Sequence, residues 1–180
     1  MSSFAFKAFR VSPIVGLVVC LSAGAALANV TVAKTVPGIA GENVAPGTIV
    51  ISQSQRRIYL TQENGTAISY PVAIGKSGKA WLGWSRVNGK YVQPAWSPPA
   101  EVKHDNPRMP ALIPGGAPNN PMGARAMTLD RSEIAIHGST VSMRKSIGTA
   151  ASYGCIRMYN EDVIDLYDRV GVGAPVLAVR

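Results

Sequence analysis

Hydrophobic positions fall into runs of different kinds along this chain. At the front, VSPIVGLVVCLSAGAAL (11–27) is apolar nearly throughout and is interrupted by Pro13 and Gly16. From Pro46 onward the runs shorten: TIVISQ and RRIYLTQ, then TAISYPVAIG after Glu63-Asn64-Gly65, read as alternations of apolar and polar residues. A period of two is that of strands, whose side chains point to opposite faces, so these runs predict β-strands. The Asn-Gly pair predicts a hairpin turn that fits the right-handed twist of its strands, and an antiparallel sheet is the economical arrangement. ARAMTLD and SEIAIHG read as two further strands, the second ending on His137, and APVLAV as a closing strand. One stretch has helical spacing instead. Val163, Ile164, Tyr167 and Val170 fall on one helix face, with Asn160 as N-cap, Glu161 and Asp162 in the first turn, and Gly171 or Gly173 as the stop.

The segment 76–121 carries too many prolines for a long helix, so an extended, loop-dominated course over the sheet is expected. Its Trp81, Trp84 and Trp96 offer rigid apolar surface. A loop this long is uncommon unless functional, which favours a substrate-shaping role, with Trp81 and Trp84 as plates of a lid, over plain core packing.

Residues 1–28 have the build of a secretory signal: Lys7 and Arg10, then the apolar run, then Ala26-Leu27-Ala28 ahead of a cut before Asn29. An anchor is the alternative, but the interrupted run is short for a span of about 20 residues, so no stable membrane span is expected after cleavage. Residues 29–45 read as a flexible lead and 46–180 as one domain. The chain carries a net charge of +8, or +6 without Lys7 and Arg10, which favours an anionic partner such as a wall polymer or a membrane surface. Nucleic acid is disfavoured by export and by the absence of interleaved basic and aromatic residues.

Cleavage also changes the cysteine arithmetic, because Cys20 leaves and Cys155 remains alone. An unpaired thiol in an oxidising compartment is either buried and inert or used as a thiolate. The chain holds two histidines, His104 in a Pro-rich loop and His137 at the end of an apolar strand run. The strand end is the more rigid mount. A neutral imidazole beside a thiol would take its proton and, as imidazolium, would stabilise the thiolate; the plainer alternative is a hydrogen-bonded strand histidine without a role. One cysteine and two scattered histidines are too few for a closed zinc site, so no metal or other cofactor is expected.

The residues around these groups then carry a resemblance. IHGS at 136–139, SIG at 146–148 and ASYGCIRMYNEDVIDLYDRVGVGAPVLAV at 151–179 strongly resemble the catalytic segment of L,D-transpeptidases of the YkuD family. PGTIVISQSQRRIYL, SYPVAIGK, WSPP at 96–99 and NPMGARAMTL at 120–129 extend it, in the Gram-negative form, across residues 46–180. The resemblance implies a mainly β, sandwich-like catalytic domain with a few short helices. It implies a periplasmic enzyme that attacks the diaminopimelate carbonyl of a peptidoglycan stem peptide, expels D-alanine and transfers the acyl group to an amine, forming 3-3 cross-links. Water as acceptor would make it an L,D-carboxypeptidase, and a protein amine would make it an enzyme anchoring an outer-membrane protein; a silent wall-binding protein is a further alternative.

Carried over by position, the resemblance makes Cys155 the nucleophile, His137 the base and the Gly138 carbonyl the group that orients the imidazole. The Gly154 and Cys155 amides become oxyanion-hole candidates. Arg157 suits a stem-peptide carboxylate, or else pairs with Glu161 or Asp162; Arg125 is similar, with a structural role favoured. The sequence departs from the pattern at Tyr153, where the commonest form has histidine. A phenol titrating near 10 is a poor base at neutral pH, so Tyr153 supports the turn at most.

Overall fold

The computed structural model of the protein describes residues 31–33 and 44–180. The expected signal, 1–28, and most of the lead, 29–45, lie outside them. Eleven strands occur among the described residues: β1 (Thr31–Ala33), β2 (Ile49–Ser52), β3 (Arg57–Thr61), β4 (Ala67–Pro71), β5 (Ile74–Gly75), β6 (Gly83–Val92), β7 (Arg125–Leu129), β8 (Ala135–His137), β9 (Ala150–Ser152), β10 (Ile156–Arg157) and β11 (Pro175–Val179). Two helices accompany them, α1 (Ala100–Asp105) and α2 (Asn160–Arg169), with a 3-10 turn at Ser142–Ser146. Nine strands form one curled sheet in the order β1-β4-β3-β2-β11-β6-β7-β8-β10, and β5 pairs with β9.

The predicted meander is present as β2, β3 and β4 in antiparallel register. Its inward positions, Ile49, Ile51, Ile58, Leu60, Ile68 and Tyr70, join Val87, Met127, Leu129, Ile136 and Ile156 in one core. Each fully buried aliphatic side chain contributes about 1.5–3 kcal/mol. Across this core lies α2, which buries Val163 and Leu166. The opposite face of the meander is covered too: Val50, Tyr59 and Ala67 are buried in a second, smaller cluster with Val44 and Val179. That explains why β2 is apolar at three successive positions.

Several expectations need correction. The sheet is mixed: β11, last in the chain, inserts between β2 and β6 and runs parallel to β2, and β10 runs parallel to β8. The partners of β11 lie far back in the chain, more than a hundred residues in the case of β2, and such pairing leaves no local signature. Within the lead, Thr31–Ala33 pairs with β4 as an edge strand too short to show a period. The segment 76–121 is not loop throughout, since β6 occupies ten of its residues. Its inward positions are Ser85, Val87 and Gly89, so the apolar signal of alternation is missing. A Cβ on Gly89 would lie 2.6 Å from the Tyr91 hydroxyl and 2.8 Å from Thr128 Oγ1, so a larger residue there would displace both side chains. At the β3–β4 turn Gly65 alone, and not Asn64, has positive φ (71°), and the loop closes with Gln62 N–H on Thr66 O. Finally, Asn160 does not cap α2; Tyr159 holds the cap position without a side-chain bond, and the Asn160 amide is used elsewhere.

Candidate active site

Strand pairing brings the candidate residues together. β8 ends on His137, which stands opposite Ala126 of β7 and opposite Arg157 of β10. Because Cys155 immediately precedes β10, that register delivers thiol, imidazole and guanidinium to one cavity of about 1070 Å³. The far wall of this cavity comes from the segment after β6, including Trp96, Val102 of α1 and Met109.

His137 is 2% exposed. Its Nδ1 lies 2.8 Å from the Gly138 carbonyl and 3.0 Å from that of Pro121. Carbonyls only accept, so Nδ1 carries the hydrogen and Nε2 keeps its lone pair. Burial, reinforced by the Arg157 cation, lowers the His137 pKa from 6.5 to about 4. The ring is therefore neutral at neutral pH, able to accept a proton but holding none in reserve.

Cys155 sits in a turn that the sequence builds from small residues. The Ser152 hydroxyl donates to the Cys155 carbonyl at 2.5 Å and accepts the Gly154 N–H at 3.1 Å. Gly154 has φ 123°, a conformation that L side chains rarely adopt, and Trp81 Nε1 donates to its carbonyl at 3.1 Å. The Cys155 thiol is half-buried and donates to the Glu133 carbonyl at 3.3 Å. Burial raises its pKa, against the Ala135 N–H and the Arg157 cation, which favour the thiolate. No hydrogen bond joins the sulfur to His137 among the described residues. Both shifts favour a thiol beside a neutral imidazole over the thiolate–imidazolium pair anticipated from sequence.

The remaining candidates divide. Gly138 stands where expected, its carbonyl on the imidazole. Of the two amides named for an oxyanion hole, that of Gly154 is already committed to Ser152, and only that of Cys155 has no acceptor among the described residues. Arg157 lines the cavity and donates to Ser146 Oγ at 2.7 Å, and its buried Nε has no partner. Pairing with Glu161 is ruled out, because Arg144 grips that carboxylate with two bonds of 2.7 and 2.9 Å. Tyr153 lines the cavity but directs its hydroxyl to Asp105 of α1 at 2.6 Å, under Lys76 Nζ at 3.8 Å from its ring. Arg125 does not line the cavity; it donates to Ala124 O and lies 5.5 Å from the Tyr167 ring. Trp81 packs against the core beneath the Cys155 turn, whereas Trp84, 57% exposed on β6, takes no part in the cavity, so the paired-tryptophan lid is not what the fold builds. His104 is 89% exposed on α1 beside Asp105. Sequence reasoning missed Ser152, Asp105 and Asn120, and misassigned Asn160; the partners of Asp105 and Asn160 are distant in sequence, so spacing could not reveal them, whereas the Ser152 hydroxyl bonds only within its own turn and stood in the segment around Cys155.

Fold and site together define a class: a curled β-sheet that presents one buried histidine and one cysteine to a common cleft. The chain belongs to the L,D-transpeptidase family, whose catalytic domain (YkuD) matches residues 46–177. Probable L,D-transpeptidase YbiS of Escherichia coli (strain K12) is 35% identical over 141 residues, covering 75% of this chain and 45% of that protein. Putative L,D-transpeptidase YqjB of Bacillus subtilis (strain 168) is 31% identical over 145 residues, 76% of this chain and 74% of that one. The chain therefore spans less than half the length of the Escherichia coli relative. Among solved structures, an L,D-transpeptidase from Mycobacterium smegmatis shares the fold with a TM-score of 0.59 at 16% identity, over 74% of this chain and 58% of that one. No helix among the described residues is long and apolar enough to cross a membrane.

Proposed function

We propose that the protein is a periplasmic L,D-transpeptidase that forms 3-3 cross-links in peptidoglycan through a Cys155 acyl-enzyme. The observation that carries this is the His137 ring, fixed by two carbonyls at Nδ1 and lining the same cavity as Cys155. His137 Nε2 takes the thiol proton as the sulfur attacks the diaminopimelate carbonyl. The resulting oxyanion meets the uncommitted Cys155 N–H, and one such donor is worth about 2.7–4 kcal/mol. Collapse breaks the C–N bond, the imidazolium protonates the departing D-alanine amine, and a thioester remains. An acceptor amine then attacks the thioester, gives its proton to His137, and the thiol is restored. Arg157, half-buried and without an ion pair among the described residues, supplies a cation for a stem-peptide carboxylate.

The test is mass spectrometry of muropeptides incubated with the purified protein and with Cys155→Ala. Cross-linked dimers whose donor stem has lost its D-alanine, formed by the wild type alone, support the proposal. Tripeptide alone assigns water as acceptor, and equal products from both proteins would refute the cysteine mechanism.

A further inference from the structure

Two asparagines outside the chemistry just proposed stand behind the base. A peptide unit is planar, so pinning its N–H fixes where its carbonyl points. The Gly138 carbonyl and the Ser139 N–H belong to one such unit: Ser139 N–H donates to Asn160 Oδ1 at 3.0 Å while the carbonyl holds His137 Nδ1 at 2.8 Å. The Pro121 carbonyl and the Met122 N–H belong to another: Met122 N–H donates to Asn120 Oδ1 at 2.9 Å while the carbonyl meets the same Nδ1 at 3.0 Å. We propose that Asn120 and Asn160 are paired positioning residues, each aiming one peptide carbonyl at His137 Nδ1 so that the ring is held as the Nδ1–H tautomer with Nε2 free for the thiol proton. The purpose assigned to them rests on the reading of His137 as the base.

Both asparagines are themselves immobilised. Asn160 Oδ1 also accepts from Ala124 N–H at 3.0 Å, and its Nδ2 donates to the Ser139 carbonyl at 2.9 Å. Asn120 is 3% exposed and its Nδ2 donates to the Pro94 and Pro114 carbonyls, each at 2.9 Å. Glycines make room for this arrangement: a Cβ on Gly138 would lie 2.2 Å from Asn160 Oδ1, and one on Gly123 2.3 Å from it. Donation of a peptide N–H also polarises that peptide, which strengthens its carbonyl as acceptor. The opposite tautomer would set an unprotonated Nδ1 against two carbonyl oxygens, leaving three acceptors with no hydrogen between them. Loop reinforcement alone would not require both pinned peptides to converge on one ring nitrogen.

The tautomer is read directly from imidazole ¹⁵N shifts and couplings in the labelled protein, His104→Gln assigning the two rings, with Cys155 acylation by a carbapenem followed in parallel. The wild type is expected to show Nδ1–H at His137. Asn120→Ala and Asn160→Ala should each give mixed tautomers and slow acylation by about 10–100-fold with little change in KM, the scale expected when a reacting group is misplaced. Asn120→Ser and Asn160→Ser remove the pinning amide oxygen but keep a small polar side chain, and should give the same mixed tautomers. An Nε2–H ring in the wild type overturns the proposal without need of a variant. An unchanged tautomer in a folded alanine variant overturns it for that residue. Should an alanine variant not fold, an unchanged tautomer in the corresponding folded serine variant does the same. Acylation by His137→Ala at the wild-type rate would instead remove the base reading, a failure distinct from an intact tautomer in the asparagine variants.

Discussion

Whether Cys155 rests as a thiol can be tested by scanning pH and by removing the cation beside it. Burial holds the Cys155 pKa above the ordinary 9.0, and burial with Arg157 holds that of His137 at about 4. Moving the proton from sulfur to ring therefore spans a gap of more than about 5 pH units, or about 7 kcal/mol. Two opposite unit charges about 4 Å apart would return about 4 kcal/mol at an effective dielectric near 20. The remaining cost of about 3 kcal/mol keeps the ion pair below roughly one molecule in a hundred. Iodoacetamide alkylates only the thiolate, so the Cys155 peptide, followed by mass spectrometry from pH 4 to 10, reports its fraction. The logarithm of the rate should climb with unit slope through neutrality, without a plateau below pH 9. Arg157→Met should move the titration higher still, because that cation favours the thiolate. Fast alkylation that is flat from pH 5 to 8 would establish a standing ion pair and refute the reasoning. So would a downward move in Arg157→Met.

Folding stability should carry the same signature: unfolded His137 binds a proton near 6.5 and the folded ring only near 4. Stability is then level above pH 6.5 and falls by up to about 3.4 kcal/mol as pH drops toward 4, a slope that urea titrations should find missing from His137→Gln. Tyr153→Phe should keep Cys155 acylation within about threefold of wild type, since its hydroxyl serves Asp105 and not the thiol; a collapse in rate would make the phenol part of the chemistry. Trp84→Ala should leave acylation unchanged, whereas Trp81→Ala, which loses the bond to the Gly154 carbonyl, should slow it about tenfold when followed by carbapenem trapping. The reverse order would restore Trp84 to the site.

Period-two patterning located β3, β4, β7 and β8, a short apolar run located β2, and the helical spacing located α2, because each of those signals is local: the residues that carry it are at most four apart. The odd cysteine and the strand-end histidine marked Cys155 and His137 for the same reason, and the family motif reinforced them. The chain alone did not disclose β6, whose inward face is built of Ser85, Val87 and Gly89 and so lacks apolar contrast. Nor did it disclose that β11 runs between β2 and β6, a pairing fixed by burial on both faces and not by neighbours in sequence. The protonation of the site is likewise a tertiary property: only packing buries His137 to 2% exposure and sets Arg157 opposite it. Asn160 shows the division within a single residue. Its sequence position at the start of a helix suggests a cap, but tertiary contact offers its amide two backbone N–H groups and a carbonyl from the loops behind the imidazole, and those three bonds outweigh the one that a cap would have made.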